Sequence, residues 1–145
     1  MISLVRQNSS HLCFAACLES VLTDFCYPVS QTDLVDRYPD SFSVGLVGGN
    51  GNSIEGSLRF DKISDIEIGE SISFSPTTQF NYGEGVIIFV RWEGDKTKKH
   101  AVRFHRVESG RIYFMEPSEG VIDSRPFSEF SSWVIAALKV TTNAS

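Results

Sequence analysis

The residues best suited to chemistry lie near the start of the chain, where Gln7 precedes Cys13 by six positions. Cys13 opens an apolar, helix-forming stretch. A thiol at a helix N-terminus lies at the positive end of the helix dipole, which favours the nucleophilic thiolate. A glutamine amide can donate a hydrogen bond to a developing oxyanion, beside the backbone N–H of the cysteine. The pattern predicts that Cys13 attacks a carbonyl carbon and that Gln7 stabilises the resulting oxyanion.

A thiolate nucleophile also needs a base, and the base needs an orienting group. His100 heads one strand-like run, and Glu116 ends another, sixteen residues later. We therefore predict that His100 is the base and that Glu116 orients it. The plain alternatives are a histidine satisfied within the core and a strand-end charge in solvent. Cys17 and Cys26 are predicted to be buried structural thiols, because free cysteine commonly packs as a small hydrophobe.

The order Gln, Cys, His, acid is that of the papain-like cysteine peptidases, which this chain resembles. In detail it is similar to the peptidase domains that remove double-glycine leaders from bacteriocin precursors, and to their free-standing relatives. The family usually has aspartate before the proline, whereas this chain has Glu116. The segments that carry the resemblance are residues 7–22, 28–34, 100–117 and 127–130, with Trp133.

The resemblance implies a hydrolase, a thiol protease that cleaves a protein or peptide substrate after small residues such as Gly-Gly. Its catalytic set would be Cys13, His100, Glu116 and Gln7, and its chemistry requires no cofactor and no metal. A preference for glycine needs a narrow cleft, which we expect Phe14 to help form. One role that fits a free-standing domain is a delivered interbacterial toxin or effector, restrained by a cognate immunity protein.

Two other classes of function remain open. The same triad could serve a deamidase, an acyltransferase or a cell-wall amidase, because a thioester can form from many different amides. Substrate choice would then depend on loops such as residues 43–53 and 74–84. The second class is a non-catalytic module that binds leader peptides and keeps the fold without the reaction.

The composition limits the partners and the location. The chain has 145 residues, 41% of them hydrophobic and 21% charged, which is ordinary for a globular protein. We expect residues 1–145 to form a single papain-like peptidase domain. The net charge of −5 argues against a nucleic-acid partner. No apolar run approaches the roughly 20 residues of a membrane span, and residues 1–6 lack a secretion signal. We therefore expect a cytoplasmic protein, or one delivered into the cytoplasm of a target cell.

The pattern of apolar residues predicts helices first and an antiparallel sheet afterwards, an α+β fold. A helical N-terminal part carries the cysteine, and it packs on a C-terminal sheet that carries the histidine and the acid. Ser30 and Asp33 have the spacing of a helix-capping pair. We expect three helices, at residues 12–25, beginning at residue 30, and at residues 53–60. A loop is expected at residues 43–52. Four strands are expected at residues 85–92, 99–107, 111–116 and 133–140.

Strand alternation predicts which face of the sheet carries the base. His100, Val102 and Phe104 share one face, and we expect that face to pack toward the helix that carries Cys13. A three-residue loop, Glu108-Ser109-Gly110, would place Val102 opposite Glu116. Glu116 would then lie diagonally next to His100, within reach of a long side chain.

Overall fold

A computed structural model describes residues 2–9, 12–27, 29–37, 56–63, 66–76, 85–91 and 100–142. Within these ranges the chain forms three helices and seven strands. The helices are α1 (Cys13–Asp24), α2 (Gln31–Arg37) and α3 (Phe127–Trp133). The strands are β1 (Gly56–Ile63), β2 (Ile66–Pro76), β3 (Val86–Val90), β4 (His100–Glu108), β5 (Arg111–Glu116), β6 (Val121–Pro126) and β7 (Val134–Thr142).

The seven strands form one sheet in the order β1-β2-β7-β3-β4-β5-β6. Every neighbouring pair is antiparallel. Two helices precede the sheet in sequence, and α3 lies between its last two strands. The predicted α+β architecture is therefore confirmed. Among the described residues, no helix is both long and apolar enough to cross a membrane.

The two faces of the sheet pack against different helices. Alternate strand residues point to opposite faces, and they separate into two buried clusters. The cluster against α1 includes Ile87, Phe89, Ala101, Met115 and Leu138. The cluster against α3 includes Val86, Ile88, Val102, Phe104, Phe114 and Phe130.

This division contradicts the predicted orientation of β4. Val102 and Phe104 face α3, whereas Ala101 and Arg103 face α1. The expectation rested on the idea that the more apolar face must cover the helix with the cysteine. Arg103 overturns it, because this side chain is fully buried and bonds to α1.

Several predicted elements are confirmed and others are wrong. The helix capped by Ser30 is α2: the Asp33 N–H donates to Ser30 Oγ at 3.1 Å, and the Ser30 N–H donates to Asp33 Oδ2 at 3.2 Å.

The helix expected at 53–60 is wrong, since Gly56 to Phe60 lie in β1 and pair with β2. Glycine and serine in that stretch are poor helix formers. The loop expected at 74–84 begins too early, because Phe74 to Pro76 extend β2. Residues 43–52, 53–55 and 77–84 lie outside the described residues.

The hairpin of β4 and β5 reaches the predicted register by a different route. Glu108 pairs with Arg111, so the turn has two residues, Ser109 and Gly110, with φ of 53° and 75°. Two left-handed residues are typical of a type I′ turn. The predicted three-residue loop is therefore wrong.

A bulge at His105 compensates for the shorter turn. The register shifts between Phe104 and Arg106, and beyond it Arg103 pairs with Met115. The extra residue moves β4 by one position. The pairs Arg103–Met115 and Phe104–Phe114 belong to the register that the sequence predicted.

Candidate active site

Cys13 is the first residue of α1 and is 8% exposed. The N-cap residue, Leu12, provides no side-chain hydrogen bond to the helix. The first N–H groups of a helix have no acceptor within it, so the N–H of Cys13 points out of the helix end. The thiol therefore lies at the positive end of the helix dipole, which is the environment expected for a nucleophile beside an oxyanion site.

The other two cysteines have different environments. Cys17 is fully buried one turn further along α1, and burial raises the pKa of its thiol well above the ordinary value. Cys17 therefore stays protonated near neutral pH. Cys26 is exposed, which contradicts the prediction of a buried thiol. It follows the end of α1 with φ of 68°, the left-handed conformation that is common just after a helix.

His100 and Glu116 form a direct contact across the β4–β5 hairpin. His100 Nε2 lies 2.5 Å from Glu116 Oε2, and the two side chains are 17% and 14% exposed. The same carboxylate oxygen accepts the Ser118 N–H at 3.1 Å. Glu116 therefore reaches the imidazole, and the turn after β5 holds the carboxylate from its other side.

His100 also forms a hydrogen bond with Cys13. Since Nε2 faces Glu116, Nδ1 is the ring nitrogen that remains for the thiol. Burial alone would lower the pKa of His100, but the bonds to Cys13 and Glu116 outweigh it and raise that pKa to about 9. Burial opposes the ionised form of Glu116 too, yet its bond with His100 lowers the pKa of Glu116. The imidazole is therefore protonated and the carboxylate ionised at neutral pH.

The three side chains meet because each lies at the end of its element. Cys13 begins α1, His100 begins β4 and Glu116 ends β5. The helix α1 packs against β4, so these ends lie together at one border of the sheet. A side chain at the border is not confined between the sheet and a helix, and His100 reaches Cys13 although its face of β4 turns toward α3.

Gln7 lies against the turn that leads into α1. Its Nε2 donates to the carbonyl oxygen of Ser9 at 2.9 Å, and the same oxygen accepts the Leu12 N–H at 3.1 Å. The backbone N–H of Gln7 donates to the carbonyl of Pro117 at 2.7 Å. The side-chain amide of Gln7 is therefore held by the turn that leads into α1, and its backbone is held by the residue that follows Glu116.

Phe14 does not line an open cleft. It is 4% exposed, and its ring packs on that of Phe89 with centroids 5.3 Å apart. The expectation that Phe14 narrows the cleft is therefore wrong, because residue 14 of the helix points into the core. Among the described residues, no group of His, Cys, Asp and Glu side chains is arranged to hold a metal ion.

The arrangement can be compared with solved structures. One match is a crystal structure of a double glycine motif protease from an AMS/PCAT transporter in complex with the leader peptide. The match covers 100% of this chain and 93% of the protease chain. The sequence identity is 16% and the TM-score is 0.54. The two chains share a fold. This is the α+β, papain-like fold that the sequence predicted, with the cysteine-bearing helix on an antiparallel sheet.

A structure of Ly7917 with the hydrolyzing product of MDP also matches, at 14% identity and a TM-score of 0.36. The match covers 46% of this chain and only 31% of that one, so it adds nothing to the argument. No protein-family model and no curated protein matches the sequence.

Two contacts at this site were not foreseen from the sequence. Ser118 supports Glu116 through its backbone N–H, and a backbone donor leaves no mark in residue type. Gln31 bonds to both neighbours of Gln7, although a glutamine that opens a helix is unremarkable by pattern. Neither contact could be found without the tertiary structure.

Proposed function

We propose that this protein is a cysteine peptidase that acts on a protein or peptide substrate. The observation that carries the proposal is the paired contact of His100, which bonds to Cys13 and to Glu116. A nucleophile, a base and an orienting group joined in this way are the arrangement that thiol catalysis requires. The shared fold with a double-glycine motif protease supports the same assignment.

The proposed reaction begins with the Cys13 sulfur as a thiolate beside the protonated His100. The sulfur attacks the carbonyl carbon of the scissile peptide, and the carbonyl oxygen becomes an oxyanion. Gln7 and the Cys13 N–H donate hydrogen bonds to that oxygen; the loss of one such donor typically lowers the rate by about 10²- to 10³-fold. The C–N bond then breaks as His100 gives its proton to the leaving amine, which leaves a thioester. Water, deprotonated by His100, hydrolyses the thioester and restores the thiolate.

The substrate class comes from the resemblance and from the neighbour with a bound leader peptide. We propose cleavage after small residues, with Gly-Gly as the preferred site. A role as a delivered toxin with an immunity partner, and residues 1–145 as a single domain, remain predictions from the sequence alone.

The decisive experiment is cleavage of peptides that span a Gly-Gly site, read by mass spectrometry. We expect fragments ending in glycine from the wild type and from Cys26→Ser, which removes an exposed thiol away from the site. Cys13→Ala is expected to lower the rate by about 10⁴-fold or more. Fragments that persist in Cys13→Ala would refute the assignment. A small increase in the intact mass of a target protein, without fragments, would instead favour deamidation.

The pH dependence of cleavage tests the roles of His100 and Glu116. The imidazolium form is lost as the pH rises through the pKa of His100, about 9, so the wild-type rate is expected to fall there. Glu116→Gln removes a bond and a charge that raise this pKa, and the alkaline limb should move to lower pH. Glu119→Gln, a change at an exposed neighbour, should leave it in place. Identical limbs in the wild type and Glu116→Gln would contradict the orienting role.

A further inference from the structure

The side chain of Gln31 bonds to the residues on either side of Gln7. Gln31 is the first residue of α2 and is 3% exposed. Its Oε1 accepts the Asn8 N–H at 2.8 Å, and its Nε2 donates to the Arg6 carbonyl at 2.8 Å. We propose that Gln31 is a positioning residue that fixes Gln7 for oxyanion stabilisation, an inference that rests on the proposed function.

These two bonds have the geometry of a neighbouring peptide group. The amide of Gln31 supplies one acceptor and one donor to a backbone segment that belongs to none of the seven described strands. On its other side the segment is held by the bond from the Gln7 N–H to the Pro117 carbonyl. The backbone of Gln7 is therefore restrained from both sides, and this restraint limits where its side-chain amide can point.

Gln31 is itself anchored to the helix of the nucleophile. Its backbone N–H donates to Glu19 Oε1 at 2.6 Å, and Glu19 lies in α1, the helix that Cys13 begins. A continuous set of contacts thus runs from α1 through Gln31 to the residues around Gln7. It fixes the proposed oxyanion donor relative to the nucleophile, which is what electrostatic preorganisation requires.

Among unbranched side chains of this length, only the amide can make both bonds. Glutamate has no donor at neutral pH, and methionine, of similar length, has neither a strong donor nor a strong acceptor. In Gln31→Met two partly buried backbone groups would lose their partners, and such groups regain partners by moving toward water. A displacement of about 1 Å of a catalytic group can lower a rate by about 10²-fold.

The kinetic test compares Gln31→Met with Leu34→Val, a conservative change at a fully buried α2 residue. We expect Gln31→Met to lower kcat/KM for a Gly-Gly peptide by about 10- to 100-fold, and Leu34→Val to change it by less than about 2-fold. In a Gln7→Ala background, Gln31→Met should cause little further loss, because the group that it positions is already gone. An equal loss in both backgrounds would overturn the inference while leaving the peptidase assignment intact.

Two further readouts separate positioning from general loosening. The alkylation of Cys13 by iodoacetamide, measured in Cys26→Ser protein, needs no oxyanion donor and should be unchanged by Gln31→Met. Hydrogen exchange at Asn8 should accelerate in Gln31→Met but not in Leu34→Val, whether or not the protein cleaves peptides. Unchanged exchange would overturn the positioning role by itself. Full cleavage by Gln7→Ala would overturn the oxyanion role and this inference with it.

Discussion

The two faces of the sheet are stabilised in different ways. On the face against α3, apolar side chains pack together, and the rings of Phe114 and Phe130 lie 5.2 Å apart between centroids. The side against α1 is also largely apolar. However, the part of the chain that the structure describes has three buried polar residues, and all of them lie on the α1 side: Ser20, Gln31 and Arg103.

This difference separates stability from positioning. Apolar burial is roughly proportional to area and has no preferred direction, so the α3 face can hold the sheet without fixing any atom closely. Hydrogen bonds and ion pairs are directional, and they are expensive to leave half-made in a buried place. The side that carries Cys13 therefore uses polar contacts to fix how α1, β4 and the N-terminal segment meet.

Arg103 shows how closely these parts are joined. Its Nη1 donates to Ser20 Oγ at 2.8 Å and forms an ion pair with Asp24 Oδ2. Ser20 Oγ in turn donates to the Ser3 carbonyl at 2.5 Å, and Ser3 Oγ donates to Asp24 Oδ1 at 2.6 Å. One network thus connects β4, α1 and the segment that leads to Gln7.

The largest effect is expected from Phe130→Ala on the α3 face. Phe130 is fully buried, and truncation of such a ring lowers the free energy of unfolding by about 3–5 kcal/mol. Because Phe130 packs in this apolar cluster, whereas Cys13 begins α1 on the other face of the sheet, folded Phe130→Ala protein should alkylate Cys13 at the wild-type rate in a Cys26→Ser background. Urea unfolding and iodoacetamide kinetics measure the two effects.

Val121→Ala is the control for Phe130→Ala. Val121 is 41% exposed on the edge strand, and its truncation should change stability by less than about 0.5 kcal/mol. An alkylation rate that falls in folded Phe130→Ala would show that the α3 face also positions the site, and the separation of roles would be wrong.

A smaller loss of stability is expected from Asp24→Asn on the α1 side. This change leaves the fully buried guanidinium of Arg103 without its counter-ion. Since Asp24 itself is partly exposed, we expect a loss of about 2–3 kcal/mol in the free energy of unfolding. Arg103→Met should recover part of it, because it removes the unpaired charge. A double variant less stable than Asp24→Asn would contradict this account.

The same ion pair predicts a dependence of stability on pH. Partial burial opposes ionisation of Asp24, but hydrogen bonds from Ser3 and Arg103 outweigh it and lower the pKa of Asp24. A carboxyl with a lowered folded-state pKa stabilises the protein above its ordinary pKa, about 3.9. That contribution is lost as the pH falls through the lower value. The stability difference between wild type and Asp24→Asn should therefore shrink in acid.

The sequence predicted the parts of the fold that depend on local patterns. The helical spacing of Leu18, Val21 and Leu22 indicated α1, the Ser30–Asp33 pair indicated α2, and the apolar run at residues 86–90 indicated β3. The contact between His100 and Glu116 was also expected, because strand alternation and turn length limit which residues can meet.

The failures share a physical cause, which is that tertiary contacts decided between local alternatives. Residues 56–60 form a strand because β2 pairs with them. The bulge at His105 has no signature in residue type, yet it determines the face on which Glu116 lies. Arg103 interrupts an apolar strand, and only its partners on α1 explain why it is buried.

The smallest effect is expected from Gly120→Ala, which tests the contact between the turn after β5 and the N-terminal segment. Gly120 has φ of 68°, and an added Cβ would lie 3.1–3.3 Å from Arg6, including its backbone. Gly110, with φ of 75°, has nothing within 4 Å of that position, so it is a matched control. The left-handed conformation costs an alanine about 1–2 kcal/mol at either site. Only Gly120→Ala should also displace Arg6, and with it Gln7, so peptide cleavage should fall several-fold more than in Gly110→Ala. Equal activities at equal stability would show that this contact has no part in positioning Gln7, and would leave Gln31 as the restraint on that segment.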